Sequence, residues 1–302
     1  MKAVTYSPLS TNQSFTASVD GNTCTVVSGD SILKAEFTMI GEQLILEMGS
    51  SPSPYHSGVM MEYLLTHHPE IKLIKNGRES ITRSELFQNP ALWHHTAAYS
   101  SSPVEFPARA PAHQGYVYRR YIPHLGKTIS FRLTNPEKDL ETFHEWHNQP
   151  RVSFFWELNK PKEELKEYME KGLKDPHQIP MIVEIDNDLV GYYEMYWVKE
   201  DRLGPYYESE NYDRGFHFLI GSKKYLGFSI TDSIIKSGLH LLFLDDQRTK
   251  RIMAEPRSDN QKVLKYAEAS IGWTKLKEFD FPHKRAALLE NRREVFFGGN
   301  AL

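Results

Sequence analysis

The sequence predicts an α/β protein built from two units, and three observations support this prediction. The chain has 302 residues, which exceeds the roughly 100 to 200 residues of one ordinary domain. Polar and apolar residues alternate with a period near two in short runs of residues 1–98, as is typical of strands. In the second half, strand-like and helix-like patterns follow one another in turn. We therefore expect a small α+β unit followed by a larger α/β unit.

The first unit combines strands with short helices. Its strand patterns lie at residues 23–27, 33–40 and 43–48. A helix-like segment at 60–67 is followed by the apolar run IKLIK and by SITRSELFQNP, which predicts a capped helix that Pro90 stops. Residues 1–98 are therefore the predicted N-terminal α+β domain.

A proline-rich stretch separates the two units. Residues 100–115 read SSSPVEFPARAPAHQG, which has three prolines and little periodicity. Such a composition is typical of a linker. We place the linker at residues 99–116 and the second domain at residues 117–302.

The second unit alternates strands with helices. Strands are predicted at residues 128–133, 179–185, 189–198, 215–220, 251–255 and 274–279. Helices are predicted at residues 136–147, 162–173, 230–242 and 261–269. This order predicts a sheet that is flanked by helices.

Composition narrows the class of partner. The net charge of -3 argues against nucleic acid, because a phosphate backbone requires a concentrated surplus of Lys and Arg. Cys24 is the only cysteine, so the chain can form neither an internal disulfide nor a cysteine-based zinc site. The sequence has no signal-peptide pattern and no apolar run near the ~20 residues of a membrane span. We expect a cytoplasmic protein that acts on a small molecule, with no nucleic-acid or membrane partner.

Paired histidines do not predict a metal site. The pairs are His67 with His68, His94 with His95, and His144 with His147. No carboxylate or third histidine accompanies them at the spacing of metal ligands. We expect no metal cofactor.

The segment at residues 214–243, RGFHFLIGSKKYLGFSITDSIIKSGLHLLF, predicts an anion-binding turn. A strand leads into a turn of small and basic residues before a long helix opens near Ser229. Backbone N–H groups at such a turn bind anions, and Gly227 permits the close approach of a pyrophosphate. Lys223 and Lys224 add positive charge. The alternative is a glycine that serves only the conformation of the turn.

The next segment continues the pattern. In RIMAEPRSDNQKVLKYAEASIGW, a strand ends at Glu255 and Pro256 breaks it. Asp259 can cap the following helix, which ends in a turn at Gly272 before another strand.

Together these segments resemble acyltransferases of the GNAT superfamily, whose core runs strand, Asn, helix, Gly-aromatic and strand after a phosphate-type turn. The runs YRRYIPHLGKTISFRLTNPEKDLETFHEWHNQPRVSFFWE, DRGFHFLIG, EPRSDNQ and KEFDFPHKR resemble the siderophore-biosynthesis hydroxylamine acyltransferases. Within that family they are most similar to the members that acetylate N6-hydroxylysine in aerobactin assembly. The resemblance covers the chain from about residue 105 to the C-terminus. It implies a GNAT fold in the C-terminal half, with a mostly antiparallel sheet splayed where CoA enters. For the smaller N-terminal domain, a degenerate copy of the same fold is one alternative.

The resemblance implies acetyl transfer from acetyl-CoA to the hydroxylamine nitrogen of N6-hydroxylysine, which forms a hydroxamate in siderophore biosynthesis. One alternative is a succinyl- or acetyl-CoA transferase that acts on N-hydroxyputrescine or N-hydroxycadaverine. An alternative of another class is a non-catalytic GNAT scaffold that binds acyl-CoA. The partners that the resemblance allows are the siderophore synthetase and N-hydroxylase of the pathway, and a second copy of the chain.

The resemblance also implies a catalytic pair. The family has a histidine on the strand before the pyrophosphate turn and a carboxylate at the end of the next core strand, which are His217 and Glu255 here. Some relatives have Asp in place of Glu255. An imidazole is suited to take the proton that a hydroxylamine nitrogen loses when it attacks a thioester. Glu255 would orient that imidazole, stabilise its cation or hold substrate. A core histidine is the alternative for His217, and His283 is the second candidate.

Further site residues follow from the same match. For the donor they are Phe218, Leu219, Ile220, Lys224, Gly227, Phe228, Ser229 and Asn260. For the acceptor they are Arg151, Trp156, Tyr193, Trp197 and Asp213, because aromatic walls suit an aliphatic chain. A distal ammonium is assigned to Glu157, Glu194, Asp201 or Asp213, and a carboxylate to Arg151 or Arg285. The alternative for the strand aromatics is a place in the core.

Overall fold

The computed structural model describes residues 2–94, 115–270 and 272–299. The predicted linker at 99–116 lies outside the described residues except for its last two. The residues before and after it form two separate sheets. The exact domain boundaries remain a prediction.

The N-terminal sheet has seven strands in sequential order. They are β1 (Val4–Tyr6), β2 (Phe15–Asp20), β3 (Thr23–Ser28), β4 (Ser31–Ile40), β5 (Gln43–Met48), β6 (Leu73–Asn76) and β7 (Glu79–Thr82). Two helices accompany them, α1 (Pro54–His67) between β5 and β6, and α2 (Arg83–Phe87) after β7. Neighbouring strands are antiparallel except β5 and β6, which run parallel because α1 crosses over between them.

The period-two pattern explains this sheet. In β4, Leu33, Ala35 and Phe37 are buried and alternate with exposed neighbours. The buried face packs against α1. The three predicted strands are therefore present, and the predicted helix at 60–67 begins earlier, at Pro54, a residue that is tolerated in the first turn of a helix. The capped helix in SITRSELFQNP is α2, where Thr82 and Glu85 form a capping box.

The C-terminal sheet has eight strands. They are β8 (Tyr116–Ile122), β9 (Lys127–Leu133), β10 (Gln178–Ile185), β11 (Asp188–Trp197), β12 (Arg214–Ile220), β13 (Arg251–Ala254), β14 (Trp273–Asp280) and β15 (Arg285–Arg292). The helices are α3 (Pro136–His147), α4 (Pro150–Trp156), α5 (Lys162–Lys174), α6 (Phe228–Asp245), α7 (Gln261–Ala269) and α8 (Arg293–Gly298). Each predicted strand and helix of this half is present, whereas β8, α4, β15 and α8 were not predicted. The order across the sheet is β14, β15, β13, β12, β11, β10, β9, β8.

The sheet splays between β12 and β13, as the resemblance implied. These two strands are parallel and pair at Arg214 with Ile252 and at Gly215 with Met253. On its other side, β12 stays paired with β11 as far as Ile220. In the described part of the chain, the edge of β12 beyond Gly215 is therefore unpaired on the β13 side. This opening positions the site described below.

The helix α6 joins the two halves. It is buried along most of its length and lies in a core cluster that contains residues of both sheets. His240 on α6 contacts the Tyr118 hydroxyl at 2.9 Å through Nδ1 and the Phe87 carbonyl at 2.6 Å through Nε2. Phe87 belongs to the N-terminal half, so α6 is fixed from that side.

The two sheets share one topological feature. In each, antiparallel strands end in a parallel crossover, β5–α1–β6 in the first and β12–α6–β13 in the second. The C-terminal sheet has α3, α4 and α5 between β9 and β10. In contrast, residues 2–48, all of which the structure describes, form strands and loops without a helix. The likeness is therefore limited to the crossover. Among the described residues, no helix combines the length and the apolar character that crossing a membrane requires.

Candidate active site

A cavity of about 510 Å³ lies at the splay of the C-terminal sheet. Its walls come from β12, the end of β13 and α7 on one side, and from the end of α4 and the loop after β11 on the other. Trp156, Phe218 and Trp273 make much of its surface apolar. His217, Glu194 and Glu255 form its polar centre, so a ligand in the cavity would meet these three groups.

His217 lies between two carboxylates. Its Nε2 is 2.9 Å from Oε1 of Glu255, which directly follows β13. Its Nδ1 is 3.2 Å from Oε2 of Glu194, its cross-strand neighbour on β11. Directly opposed residues of antiparallel strands point to the same face, and this brings the second carboxylate to the imidazole.

Tyrosine hydroxyls hold both carboxylates in place. Tyr196 donates to Oε2 of Glu255 at 2.8 Å. Tyr192 donates to Oε1 of Glu194 at 2.9 Å, and Tyr168 donates to the same oxygen. Because Glu194 and Glu255 are both buried, these bonds supply the partners that a buried carboxylate requires.

The carboxylates decide the protonation of the histidine. Burial lowers the pKa of His217, but Glu255 and Glu194 outweigh burial and raise that pKa to about 9. Burial likewise raises the pKa of each carboxyl, and His217 outweighs it and lowers the pKa of both. Near neutral pH the resting site therefore holds an imidazolium between two carboxylates. Such an arrangement stabilises the proton that a general base has accepted.

The donor side of the cavity begins at the open edge of β12. Phe218 lines the cavity, and the unpaired backbone beside it can accept an extended chain as an added strand. Leu219 points to the opposite face, where it packs against the cluster that contains α3 and α5. The Ile220 carbonyl accepts a hydrogen bond from Arg151 Nη1 at 2.6 Å. Of Phe218, Leu219 and Ile220, only Phe218 lines the cavity.

The predicted anion turn follows β12. Gly227 has φ +149°, which favours glycine, and it precedes α6 without a side-chain cap. The first helical backbone bond there runs from Thr231 N–H to the Gly227 carbonyl, so the N–H groups of the first turn, which includes Phe228 and Ser229, face outward as at any helix start. Lys224 is paired with Asp188 at 2.6 Å.

Two further donor residues border the turn. Phe228 is half exposed, and its ring stacks on Tyr266 with centroids 5.2 Å apart. Asn260 lines the cavity and caps α7, where its Oδ1 accepts from Val263 N–H at 3.3 Å. The side-chain carbonyl of Asn260 is therefore already engaged, and its amide N–H₂ group remains to face a ligand.

The five predicted acceptor residues separate into two groups. Trp156 lines the cavity, with its ring centroid 6.2 Å from that of His217. Arg151 does not, because its guanidinium is bound by the carbonyls of Ile220 and Gly221 at 2.6 and 2.5 Å. Arg151 therefore holds the start of the anion turn with both of its terminal nitrogens.

The other three predicted acceptor residues also lie outside the cavity. Tyr193 is fully buried on the face of β11 opposite to Glu194, where it stacks on Phe216 with centroids 5.2 Å apart. Trp197 is buried under the Arg214 guanidinium at 3.8 Å. Asp213 is ion-paired with Arg251 at 2.7 Å. Tyr193 and Trp197 are therefore part of the core, the alternative that the sequence left open for the strand aromatics, and Asp213 is held by its ion pair.

Several cavity residues were not predicted as part of the catalytic centre. Glu194 was assigned to a distal ammonium, yet it contacts His217. Tyr168, Arg202 and Lys284 were not identified. The signal for Glu194 is its hairpin register with His217, which requires the strand ends and the loop length to be known. Across residues 2–94, 115–270 and 272–299, no group of three His, Cys, Asp or Glu side chains is arranged to hold a metal ion.

Comparisons with known proteins agree with this fold and site. Residues 135–281 match the family model described as an acetyltransferase (GNAT) domain. Over 226 residues the chain is 38% identical to the N(6)-hydroxylysine O-acetyltransferase of Escherichia coli, which covers 72% of this chain and 71% of that protein. It is 36% identical over 215 residues to a hydroxyornithine transacylase of Ajellomyces capsulatus, which covers 69% of this chain and 48% of that longer protein.

Solved structures show the same architecture. A Bacillus halodurans protein superposes with a TM-score of 0.59 at 28% identity, over 63% of this chain and 98% of that chain. The aminoglycoside acetyltransferase AAC(6')-Ib, solved with coenzyme A, superposes with a TM-score of 0.51 at 20% identity, over 56% of this chain and 96% of that chain. At that identity the second structure supports the fold alone.

The splayed sheet, the turn before α6 and the matching domain define an acyl-CoA-dependent acyltransferase of the GNAT type. More narrowly, the chain belongs to the family of hydroxylamine acyltransferases that contains the N6-hydroxylysine and hydroxyornithine enzymes.

Proposed function

We propose that the protein transfers an acetyl group from acetyl-CoA to the hydroxylamine nitrogen of N6-hydroxylysine, in the biosynthesis of an aerobactin-like siderophore in the cytoplasm. The observation that carries this proposal is the placement of His217 between Glu194 and Glu255 in the cavity at the splay. The family membership supplies the class of acceptor. The pathway's synthetase and N-hydroxylase, and a homodimer, belong to the proposal as partners.

In the proposed reaction, the hydroxylamine nitrogen attacks the carbonyl carbon of the thioester. A C–N bond forms, and the nitrogen gives its proton to His217 in its neutral form. The tetrahedral intermediate then collapses, the C–S bond breaks, and the CoA thiolate leaves and takes that proton from the His217 imidazolium. Glu255 and Glu194 stabilise the imidazolium that results, which lowers the barrier to proton transfer. No covalent acyl-enzyme is needed.

The donor would be held by the residues at the opening. Its pantetheine would pair with the β12 edge at Phe218, and its pyrophosphate would face the N–H groups of Gly227, Phe228 and Ser229. Asn260 would contact the pantetheine arm. The acceptor's aliphatic chain would lie against Trp156, whose ring borders the imidazole.

The acceptor atom distinguishes two chemistries. The name of the E. coli relative specifies transfer to oxygen, whereas we propose transfer to nitrogen, and a general base at His217 can serve either atom. An N-acyl product is a hydroxamate, which forms a coloured complex with Fe³⁺. An O-acyl product is not a hydroxamate and does not form this complex. Fe³⁺ colour without added hydroxylamine therefore reports the acylated atom.

The test is an assay of free CoA thiol. Acetyl-CoA and succinyl-CoA are each combined with N6-hydroxylysine, N-hydroxyputrescine, N-hydroxycadaverine and lysine, and the products are treated with Fe³⁺. We expect turnover and colour with acetyl-CoA and N6-hydroxylysine. Turnover with a hydroxylated diamine alone would favour the alternative substrates. Thiol release without colour would contradict transfer to nitrogen, and binding of acyl-CoA without thiol release from any pair would indicate a non-catalytic scaffold.

The role of His217 has its own test. We expect His217→Ala to lower kcat by 10²- to 10⁴-fold, the usual contribution of a general base, while acyl-CoA binding measured by calorimetry is retained. His144→Ala, on α3 and outside the cavity, is the matched control and should keep full turnover. Turnover of the His217→Ala variant close to that of the control would remove His217 from the mechanism.

A further inference from the structure

The wall of the cavity next to Glu255 carries an unusual concentration of cations. Arg202 and Lys284 both face the ring of Phe281, with the guanidinium carbon 5.8 Å and the ammonium nitrogen 5.3 Å from its centroid. His283 lies between them in the cavity lining. Burial and the two neighbouring cations lower the pKa of His283, so this side chain is neutral and the charge of the wall comes from Arg202 and Lys284.

The cationic side chains of this cavity differ in how many hydrogen bonds and ion pairs they form within the protein. Lys284 is mostly buried, donates to the Glu255 carbonyl at 2.7 Å and is ion-paired with its carboxylate at 3.7 Å. Arg257, which also lines the cavity, is paired with Asp259 at 2.8 Å. Arg202 is half exposed, and its one ion pair is a 3.9 Å contact to Glu255 Oε1. Among the described residues it has no hydrogen-bonding partner, so its donors are open to a ligand.

The two carboxylates that contact His217 have cationic partners other than Arg202. The proton on His217 and the ammonium of Lys284 already compensate the two carboxylates Glu194 and Glu255. Asp201 lines the same end of the cavity, but it faces His177 at 3.6 Å and accepts from Leu203 N–H at 3.0 Å. A half-exposed guanidinium whose donors are open is suited to bind a carboxylate through two hydrogen bonds.

We propose that Arg202 binds the α-carboxylate of the acceptor and thereby selects an N-hydroxylated amino acid over an N-hydroxylated diamine. This inference rests on the proposed function. Glu255 Oε1 contacts both His217 Nε2, at 2.9 Å, and the Arg202 guanidinium, at 3.9 Å. The base and the proposed anchor are thus separated by a single carboxylate oxygen, a gap that one short aliphatic chain spans with its hydroxylamine at His217. Arg202 replaces Arg151 and Arg285 as the candidate for this contact.

Arg285 provides a matched control. It is exposed, is paired with Glu278 at 3.0 Å and with Asp280 at 3.1 Å, and does not line the cavity. Two acceptors provide the second comparison, because N-hydroxycadaverine is N6-hydroxylysine without its carboxylate. The experiment measures kcat/KM for both acceptors with wild type, Arg202→Gln and Arg285→Gln at saturating acetyl-CoA.

We expect Arg202→Gln to lower kcat/KM for N6-hydroxylysine about 10-fold, the value of one charged contact of roughly 1.4 kcal/mol, chiefly through KM. The loss of kcat/KM with N-hydroxycadaverine should be clearly smaller, and Arg285→Gln should match wild type with both acceptors. An equal loss with both acceptors would mean that Arg202 only supports Glu255, and a change confined to the KM of a carboxylated donor such as succinyl-CoA would assign it to the donor. Either result overturns the inference. Inactivity of the wild type with every hydroxylamine would instead refute the proposed function.

Discussion

At the scale of single residues, the protonation state of His217 governs the proposed chemistry. A hydroxylamine is a weak base and is neutral near pH 7, so it needs no base before it attacks. The proton leaves only as the new C–N bond forms. A histidine whose pKa is raised to about 9 by Glu255 and Glu194 holds that proton firmly, but near neutral pH only a small fraction of it is in the neutral form that can accept one.

This balance predicts the pH dependence of the enzyme. If neutral His217 is the base, kcat/KM must rise with pH and level off above about 9. The midpoint of this rise reports the pKa of His217 in the free enzyme. In Glu255→Gln, loss of the carboxylate lowers the pKa of His217, so the rise of kcat/KM should occur at lower pH. The value of kcat/KM at high pH should fall roughly 10- to 100-fold. The measurement is kcat/KM from pH 6 to about 10 for wild type and variant. A rate that falls above pH 9 would mean that the imidazolium acts as an acid.

At the scale of elements, the junction of β12 and α6 is shaped by one backbone conformation. Gly227 has φ +149°, and a Cβ added there would meet no atom within 4 Å. A side chain would therefore be strained by the backbone alone, without a steric clash. Since the N–H groups that follow Gly227 form the proposed pyrophosphate site, the strain should be felt in donor binding.

We expect Gly227→Ala to raise KM for acetyl-CoA roughly 10-fold, which is equivalent to about 1.4 kcal/mol of binding, and to lower the free energy of unfolding by about 1 to 3 kcal/mol. KM for the acceptor should not change. Gly49→Ala is the control, because Gly49 also has open space around it but no positive φ. Steady-state kinetics and urea unfolding measure both effects, and a Gly227→Ala variant with wild-type KM for acetyl-CoA would place the phosphates elsewhere.

At the scale of the whole molecule, a buried polar group lies between the two halves. Glu62 on α1 accepts from Trp93 Nε1 at 2.9 Å and lies 3.7 Å from Arg120 Nε on β8. Burial raises the pKa of Glu62, and although Arg120 and Trp93 oppose this, the pKa reaches about 7. Near neutral pH this residue is therefore partly protonated within the contact between the halves.

Linkage gives the sign of the effect on stability. The folded protein binds the Glu62 proton more tightly than the unfolded chain, whose pKa is near 4.5. The proton on Glu62 therefore contributes to the free energy of unfolding. This contribution is complete below pH 4.5 and is lost as the pH rises through about 7, which lowers the free energy of unfolding by roughly 3 kcal/mol. Glu62→Gln cannot titrate, so its stability relative to wild type should increase across this interval. Urea unfolding from pH 4.5 to 8 measures it, with exposed Glu79→Gln as control, and a difference that is constant with pH would contradict the prediction.

The sequence by itself determined the elements and their order. Period-two runs predicted β3, β4 and β5, and the strand and helix patterns predicted ten elements of the C-terminal half, because side-chain periodicity is a local property. The motifs also indicated His217 and Glu255 as a pair, which the fold brings within 2.9 Å. β8, α4, β15 and α8 were missed. In β15 the apolar residues stand together at 286–289 and do not alternate with polar ones, and α4 is short.

Only the tertiary structure decided which side chains face the cavity. Glu194 and Tyr193 are consecutive, yet one contacts His217 and the other is core, because alternate residues of a strand face opposite sides of the sheet. Arg151 was named from the sequence as a candidate for a carboxylate, and Arg202 was not identified. The terminal nitrogens of Arg151 donate to the carbonyls of Ile220 and Gly221 at the start of the anion turn, whereas Arg202 keeps open donors beside Glu255. Such differences depend on partners distant in the chain, and those partners are fixed by strand register and packing rather than by any local pattern.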